Sequence, residues 1–236
     1  MQLRLFDSMN DMSEFAASVI IAEINQNRNL LLCTATGNST SETYHKLVSK
    51  KNEFTSEQLR VIKLDEWGGV PADHPMTCET YLQKKLIRPL KTDPSRFISF
   101  KSDAEDPDRE CARVQQLLDA QGPVDLCILG IGLNGHIAFN EPGNFLVPHC
   151  HKAHLSPSSL NHPMVRETGV TPKYGLTLGM ADILKSRKII LLISGKSKAS
   201  VTKQLMLKTI DTQLPASFLW LHPDVHCYCD RDAFEG

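Results

Sequence analysis

The chain has 236 residues, 41% of them hydrophobic, and a formal net charge of -1. That is enough chain for a sizeable buried core, and the balanced charge gives no electrostatic case for nucleic acid or an anionic membrane. No apolar run is long enough to span a bilayer, and the N-terminal Met1-Gln2-Leu3-Arg4-Leu5-Phe6-Asp7 reads as neither a secretory signal nor a transit peptide.

Strand and helix patterns alternate along the sequence. Residues 12–27 carry Phe15, Val19, Ile20, Ala22 and Ile24 at helical spacing, with Ser13 or Asn10 as the expected cap. Leu30-Leu31-Leu32-Cys33-Thr34 reads as a short strand, followed by Ala35-Thr36-Gly37-Asn38-Ser39-Thr40 and a helix over 41–49. A second strand over 60–64 ends on Asp65-Glu66-Trp67-Gly68-Gly69. Residues 78–90 read as helical, 97–100 as a short strand, and 106–121 as an amphipathic helix with Pro107 at its start. An apolar strand over 124–129 runs into a glycine-rich turn. Beyond it come a strand over 188–195, a helix over 198–208, and closing strands over 218–222 and 225–228. The pattern predicts an α/β fold: three layers, with a mostly parallel, Rossmann-like sheet covered by helices on both faces, in one domain over 1–236. Such sheets bind ligands at the carboxyl ends of their strands. The polar motifs at 34–40, 65–69, 130–141 and 194–198 all fall at strand ends.

Seven cysteines, an odd and scattered number, read as reduced thiols in a cytosolic protein. Cys33 and Cys127 sit in apolar runs as small hydrophobes. Cys227 and Cys229 fit alternate residues of a strand better than a zinc knuckle. His149, Cys150, His151 and His154 could bring a metal to mind, but no second ligand pair stands at zinc-site spacing elsewhere in the sequence. No metal or cofactor is expected.

Four constellations carry chemistry. Thr36, Gly37, Asn38, Ser39 and Thr40, between a strand and a helix, form either an anion cradle or an ordinary helix cap. The loop lacks the lysine of a Walker motif, which argues against a nucleoside triphosphate. Asp65 and Glu66 are two carboxylates at a strand end. Strand alternation puts Asp65 on the face of Lys63 and Glu66 on the face of Leu64, so they should diverge, with at least one of them capping a turn or solvated. Gly130-Ile131-Gly132-Leu133-Asn134-Gly135 matches G-x-G-x-x-G formally, but Asn140-Glu141-Pro142-Gly143 breaks the helix that a dinucleotide site requires, and Leu155-Ser156-Pro157 reads as loop. His136 beyond these glycines is placed to move a proton, with Glu141 and Asn134 as candidate partners. Lys198, near the start of the helix after Ser194-Gly195, is either a phosphate-binding charge or a solvated lysine.

Together these motifs resemble the glucosamine-6-phosphate deaminase/isomerase family over nearly the whole chain. The family's phosphate loop looks like Ala35 to Thr40, its Asp-Glu-Tyr/Trp segment like Leu64-Asp65-Glu66-Trp67, and its Gly-x-Gly-x-Asp-Gly-His-Ile-Ala-Phe-Asn-Glu-Pro signature like 130–142 at all fixed positions but one. The related 6-phosphogluconolactonases continue after Gly-His as Ala-Ser-Leu-Phe-Pro, unlike this chain. Within the family the sequence most resembles galactosamine-6-phosphate isomerases, through 64–67, Thr77-Cys78-Glu79-Thr80, Asn134-Gly135-His136 and Pro215-Ala216-Ser217-Phe218-Leu219-Trp220-Leu221-His222.

The resemblance implies an enzyme that takes an amino-sugar 6-phosphate to a ketose 6-phosphate and ammonia. His136 would open the pyranose ring. Asp65 would carry a proton from C2 to C1, and Glu141 would orient His136. Thr36, Gly37, Asn38, Ser39 and Lys198 would hold the phosphate, and a lid would cover the site over about 148–174. A small-molecule sugar phosphate is the implied partner; assembly into a homo-oligomer is left open. Asn134 stands where the deaminases place Asp, and is expected to accept the imidazole N–H as a neutral amide. The lid arginine of the deaminases falls near His162 here, with Arg166 offset. The alternatives to weigh are a sugar-phosphate sensor, for which the sequence carries no helix-turn-helix extension, and a lactonase-like hydrolase, which the Phe139-Asn140-Glu141-Pro142 ending disfavours.

Overall fold

Strands buried on both faces read as unbroken apolar runs, and the central strands here do so for that reason. The computed structural model describes residues 1–166 and 169–236. Among them ten strands form two sheets: β1 (Gln2–Phe6), β2 (Leu31–Thr34), β3 (Arg60–Lys63), β4 (Asp65–Gly68), β5 (Phe97–Ile98), β6 (Leu126–Gly130), β7 (His151–Ala153), β8 (Tyr174–Thr177), β9 (Lys188–Ile193) and β10 (Val225–Asp230). The main sheet runs β1-β10-β9-β6-β2-β3-β5 and is parallel throughout. A small antiparallel sheet, β4-β8-β7, stands at its carboxyl edge.

The helices are α1 (Met9–Gln26), α2 (Asn38–Ser49), α3 (Cys78–Leu82), α4 (Arg88–Leu90), α5 (Pro107–Gln121), α6 (Pro157–Leu160), α7 (Pro163–Arg166), α8 (Met180–Leu184), α9 (Ala199–Met206) and α10 (Arg231–Glu235). A π-helical turn, Gln83–Ile87, joins α3 to α4. Successive strand residues serve opposite faces. Leu32, Val61, Ile128, Ile190 and Leu192 pack under α1, α2 and the 82–90 segment. Cys33, Ile62, Cys127, Leu129 and Leu191 pack under Cys111, Val114 and Leu118 of α5 and Val201 and Leu205 of α9. None of these helices is long and apolar enough to cross a membrane.

The strand order places the site. From β2 the chain steps outward through β3 to β5, then returns to lay β6 on the other side of β2 and continues outward through β9 and β10. The order reverses between β2 and β6, so the crossovers leave a crevice at their carboxyl ends. The loops after Thr34 and Gly130 flank it.

Several sequence readings are corrected. The cap of α1 is Ser8, whose Oγ accepts the Asp11 N–H at 3.1 Å, rather than Ser13 or Asn10; Ser13 is buried within the helix. α2 begins at Asn38, three residues before the expected start at 41. Residues 218–222 are not a strand: 218–221 belong to the 3-10 segment Pro215–Leu221 and His222 follows as its cap. Pro215 opens it, Ser217 N–H bonds the Leu214 carbonyl at 2.8 Å, and the Trp220 indole donates to the Leu205 carbonyl at 2.8 Å, which pins a compact turn against α9. Ser156-Pro157, read as loop, caps and starts α6. β1 carried no strand expectation; among the described residues it is an edge strand paired with β10 alone, and its residues are mostly exposed. Residues 65–68 are a strand of their own because Leu64 hands the chain between sheets: its N–H bonds Thr34 of the main sheet at 3.1 Å and its carbonyl accepts Leu178 N–H at 3.0 Å. Within the expected lid segment, Glu167 and Thr168 lie outside the described residues.

Leu129, fully buried on the central strand β6, tests this packing. Leu129→Ala should lower stability by about 2–5 kcal/mol in urea unfolding; a loss below about 1 kcal/mol would mean that the site collapses freely around the deletion.

Candidate active site

The crevice is a cavity of about 470 Å³, within the roughly 300–1,000 Å³ of small-molecule sites. One wall is the turn from β2 into α2. Gly37, at φ +123°, supplies a backbone conformation that side-chain-bearing residues rarely adopt, and it caps α2 without a side chain. The first-turn N–H groups of a helix find no partner within it and carry its positive end, and here residues 35–40 line the cavity. Loop carbonyls are tied elsewhere: Tyr44 Oη donates to the Ala35 carbonyl at 2.8 Å and Tyr81 Oη to that of Gly37 at 3.0 Å. Ser39 Oγ meets Ser194 Oγ at 2.9 Å, joining this loop to the end of β9. Lys198 reaches in from the 3-10 turn Lys196–Lys198 and donates to the Ile131 carbonyl at 2.6 Å; burial lowers its pKa to about 8. The start of α2 and the Lys198 ammonium thus face the same cavity.

Opposite stands Asp65, the first residue of β4, buried at the cavity wall. Burial raises its carboxyl to about 7, the charge of Glu66 adds to the rise, and Lys63 and the Cys78 thiol oppose it. Glu66 lines no part of the cavity. Asp65 and Glu66 diverge as strand alternation predicts; neither is solvated, but Glu66 caps the start of α3, accepting the Cys78 and Glu79 N–H groups, and Lys63 does not share a face with Asp65. Because the chain changes sheets at Leu64, Lys63 pairs with Glu66 instead, Nζ to Oε2 at 2.5 Å.

His136 enters from the glycine turn after β6. A Cβ at Gly132 would run into its ring, and Gly135 takes φ +86° beside Leu214, so two glycines allow the ring its place. Its Nδ1 faces Glu141 Oε2 at 3.3 Å and Ser159 Oγ at 3.4 Å. Glu141 stands behind the ring, outside the cavity lining. Burial pushes its carboxyl up, but His136, Ser159 and Asn134 outweigh this and hold it at about 2. Asn134 does not accept from the imidazole, as the sequence reading had it. Its Oδ1 accepts the backbone N–H of His136 at 3.2 Å, and its Nδ2 donates to Glu141 Oε2 at 2.9 Å and Ser156 Oγ at 3.3 Å. The amide therefore serves the carboxylate that faces the ring. Between them Ala138 is forced to φ +54°, at a cost of about 1–3 kcal/mol for a non-glycine residue.

Sequence reasoning named His162 and a segment over about 148–174 but missed the serines of α6 and its flank. Ser156 N–H and Ser159 Oγ both bond Glu141, while Ser158, Ser159, Asn161 and His162 line the cavity. The available signal was Ser156-Pro157, a cap followed by a proline at the first helical position. His162 accepts the Met164 N–H on Nδ1 at 3.3 Å, lies 6.1 Å from the Trp67 ring, and is lowered to about 4 by burial together with Lys198 and His136. Arg166, exposed at the end of α7, is not among the cavity residues.

Two consequences are measurable. A carboxyl whose folded pKa lies above its unfolded value contributes stability below the unfolded pKa and loses it as pH rises through the folded one. Asp65→Asn should therefore melt above the wild type at pH 8, with the gap closing as pH falls from about 7 toward 3.8; equal melting at pH 8 would contradict the burial of a charge there. Asn134→Asp would set a second carboxylate against Glu141, so the Glu141 titration should rise from about 2. Carboxyl NMR showing it unmoved would mean that the amide does not serve it.

Residues 7–227 match the family model described as Glucosamine-6-phosphate isomerases/6-phosphogluconolactonase. The glucosamine-6-phosphate deaminase of Geobacillus sp. (strain WCH70) is 35% identical, the alignment covering 98% of this chain and 94% of that one. AgaI of Escherichia coli (strain K12), provisionally named a deaminase, is 39% identical, with 95% of this chain and 90% of that protein covered. A solved monomeric glucosamine-6-phosphate deaminase superposes with a TM-score of 0.92 at 33% identity, covering 99% of this chain and 98% of that one. The 6-phosphogluconolactonase of Thermotoga maritima shares the fold, with a TM-score of 0.79 at 19% identity over 98% of this chain and 99% of that one. With a family model spanning most of its length and relatives above 30% identity along nearly all of it, the chain belongs to the glucosamine-6-phosphate isomerase/6-phosphogluconolactonase family.

Proposed function

We propose that this protein is an amino-sugar 6-phosphate deaminase/isomerase that acts on galactosamine 6-phosphate in preference to glucosamine 6-phosphate. One observation carries the reading: a buried carboxyl poised at about 7 and a carboxylate-backed histidine face the same cavity as an anion cradle. The family and its deaminase-named relatives support it. The galacto preference rests on the motifs at 64–67, 77–80, 134–136 and 215–222.

The phosphate would sit on Thr36, Gly37, Asn38 and Ser39 with Lys198 as the counter-charge, since backbone N–H groups at a helix start and a nearby ammonium both favour an anion. His136 would move the anomeric O1 proton to O5, breaking the C1–O5 bond and freeing the aldehyde. Asp65, ionised, would then take the proton from C2; the C2–H electron pair would form the C1=C2 bond of an enolamine while the C1=O pair moves onto O1, which would take a proton from the imidazolium form of His136. Return of that proton to C1 makes a primary alcohol there and an imine at C2. Water adds to the imine carbon, ammonia leaves, and the ketose 6-phosphate remains. A base pKa near the working pH suits this shuttle, because the group must both take and give a proton. Glu141 and Asn134 do not reach the cavity; their role is to hold the ring that does. The segment over about 148–174 would close over the substrate, with Ser159 and His162 as its inner face.

The experiment is ammonia and ketose 6-phosphate release from the two sugar phosphates side by side, with Asp65→Asn as control. Faster release from the galacto sugar, lost by at least about a hundredfold in the variant, is expected for a proton-transfer group. No release from either sugar, by protein shown to bind them, would refute an enzyme. Equal activity in Asp65→Asn would remove the base.

A further inference from the structure

Two charges that the proposed reaction does not use lie beside its base. Lys63 and Glu66 are both 0% exposed and 2.5 Å apart, Nζ to Oε2. Glu66 also accepts the backbone N–H groups of Trp67 at 2.7 Å, Cys78 at 2.8 Å and Glu79 at 2.9 Å. Lys63 donates further to Glu79 Oε2 at 3.1 Å and to the Phe100 carbonyl at 2.8 Å. Burying an ion pair is rarely a net gain in stability over an apolar pair of the same volume, so its place in the fold calls for another reason. Lys63 ends β3, Glu66 is the second residue of β4, and Asp65 lies between them in the chain. The N–H groups held by Glu66 belong to β4 and to the first turn of α3. That clamp sets the Cys78 thiol 3.9 Å from Asp65 Oδ1 and 3.3 Å from Thr36 Oγ1, at the phosphate loop.

We propose that Lys63 and Glu66 are positioning residues for Asp65: the pair fixes the β3–β4 junction and the start of α3 around the carboxyl, and its opposed charges set the protonation of that carboxyl. The proposal rests on the reading of Asp65 as the base. Among the described residues, these groups act on Asp65. Glu66 and Lys63 act from its own segment, with opposite sign; the Cys78 thiol acts from α3 and the Cys33 thiol from β2. From β8 the residue opposite is the uncharged Thr177.

The test compares Lys63→Met, Glu66→Gln and the double variant Lys63→Met/Glu66→Gln. Two readouts are used: the Asp65 carboxyl titration by NMR of the ligand-free protein, assigned with Asp65→Asn, and the acid limb of kcat/KM. Removing the Glu66 charge should move both downward in pH, and removing the Lys63 charge should move both upward. Each shift should be about half a unit or more, equivalent to about threefold in the ionised-to-neutral ratio of the carboxyl at a fixed pH. The double variant should fall between, with KM within about twofold of wild type. A merely structural pair would not move the two single variants in opposite directions. Shifts of the same sign, or none, in folded variants would overturn the proposal. If Lys63→Met does not fold, the double variant must titrate above Glu66→Gln, and failure to do so is equally decisive. The NMR titration needs no turnover. Opposite shifts in a protein without activity would therefore uphold the pair while refuting Asp65 as a base.

Discussion

Placing Lys63 against Glu66 takes an ammonium and a carboxylate out of water, at an effective cost of several kcal/mol per ion. Only a fully bonded arrangement offsets that, and meeting this condition dictates the local fold. Four donors converge on Glu66: the Lys63 ammonium and three backbone N–H groups. The N–H groups come from the start of β4 and the positive end of α3, so strand and helix must meet there. The main sheet must therefore release the chain at Leu64, and β4 must find its partner in β8 instead. Asp65, between Lys63 and Glu66 in the chain, lines the cavity while they do not.

The second cluster follows the same logic with a different outcome. Glu141 is half-buried, yet it is surrounded by donors: Asn134 Nδ2, Ser159 Oγ, Ser156 N–H and the His136 ring. Donors to the charged form favour it, so this carboxylate loses its proton at far lower pH than Asp65 does. The turn that builds the cluster spends local strain at Ala138. It is held by Asn140 Nδ2, which bonds the carbonyls of Ile137 at 3.0 Å and Leu178 at 2.9 Å, and by Phe139 N–H on Thr177 Oγ1 at 3.2 Å. Thr177 is also the residue opposite Asp65 across β4 and β8. One short strand thus links the backbones that carry both reactive groups.

What the sequence makes legible is what repeats locally. The apolar runs at 30–34, 60–64, 124–129 and 188–193 are strands because both faces of the sheet are covered, and the helices between them follow from periodicity and from caps such as Asp106-Pro107. The polar motifs at their ends locate the crevice, since a parallel sheet has one binding edge. The small sheet β4-β8-β7 was illegible because its strands are three or four residues long and take their partners from segments far apart in sequence. Pro215–Leu221 carries the apolar content of a strand, but Pro215 and the hydrogen bonds of Ser217 and Trp220 select a tighter turn. At the site, Asp65 and His136 stood out by chemistry. His162 was reached only through the resemblance, as the place of the lid arginine, and Ser159 not at all, because it neighbours no motif in sequence and only the fold brings it to the ring. The direction of the Asn134 amide was hidden for another reason: an amide both donates and accepts, and the choice depends on Glu141 being charged beside it.

Two carboxyl groups near one cavity, held at about 7 and about 2, have the properties that the proposed proton shuttle would divide between them. A pair of titratable groups pushed apart by their surroundings is how a fold assigns one to exchange a proton and the other to remain a fixed charge. Asp65 faces the cavity with a distant thiol as its side-chain donor, and burial keeps its proton close to exchange at neutral pH. Glu141 is withdrawn behind the ring and saturated with donors, so it can orient His136 without competing for the proton in transit. Exchanging these environments would leave both side chains in the fold and remove the function proposed for them. The site is therefore defined less by which acidic residues it contains than by how many hydrogen bonds each is denied or given.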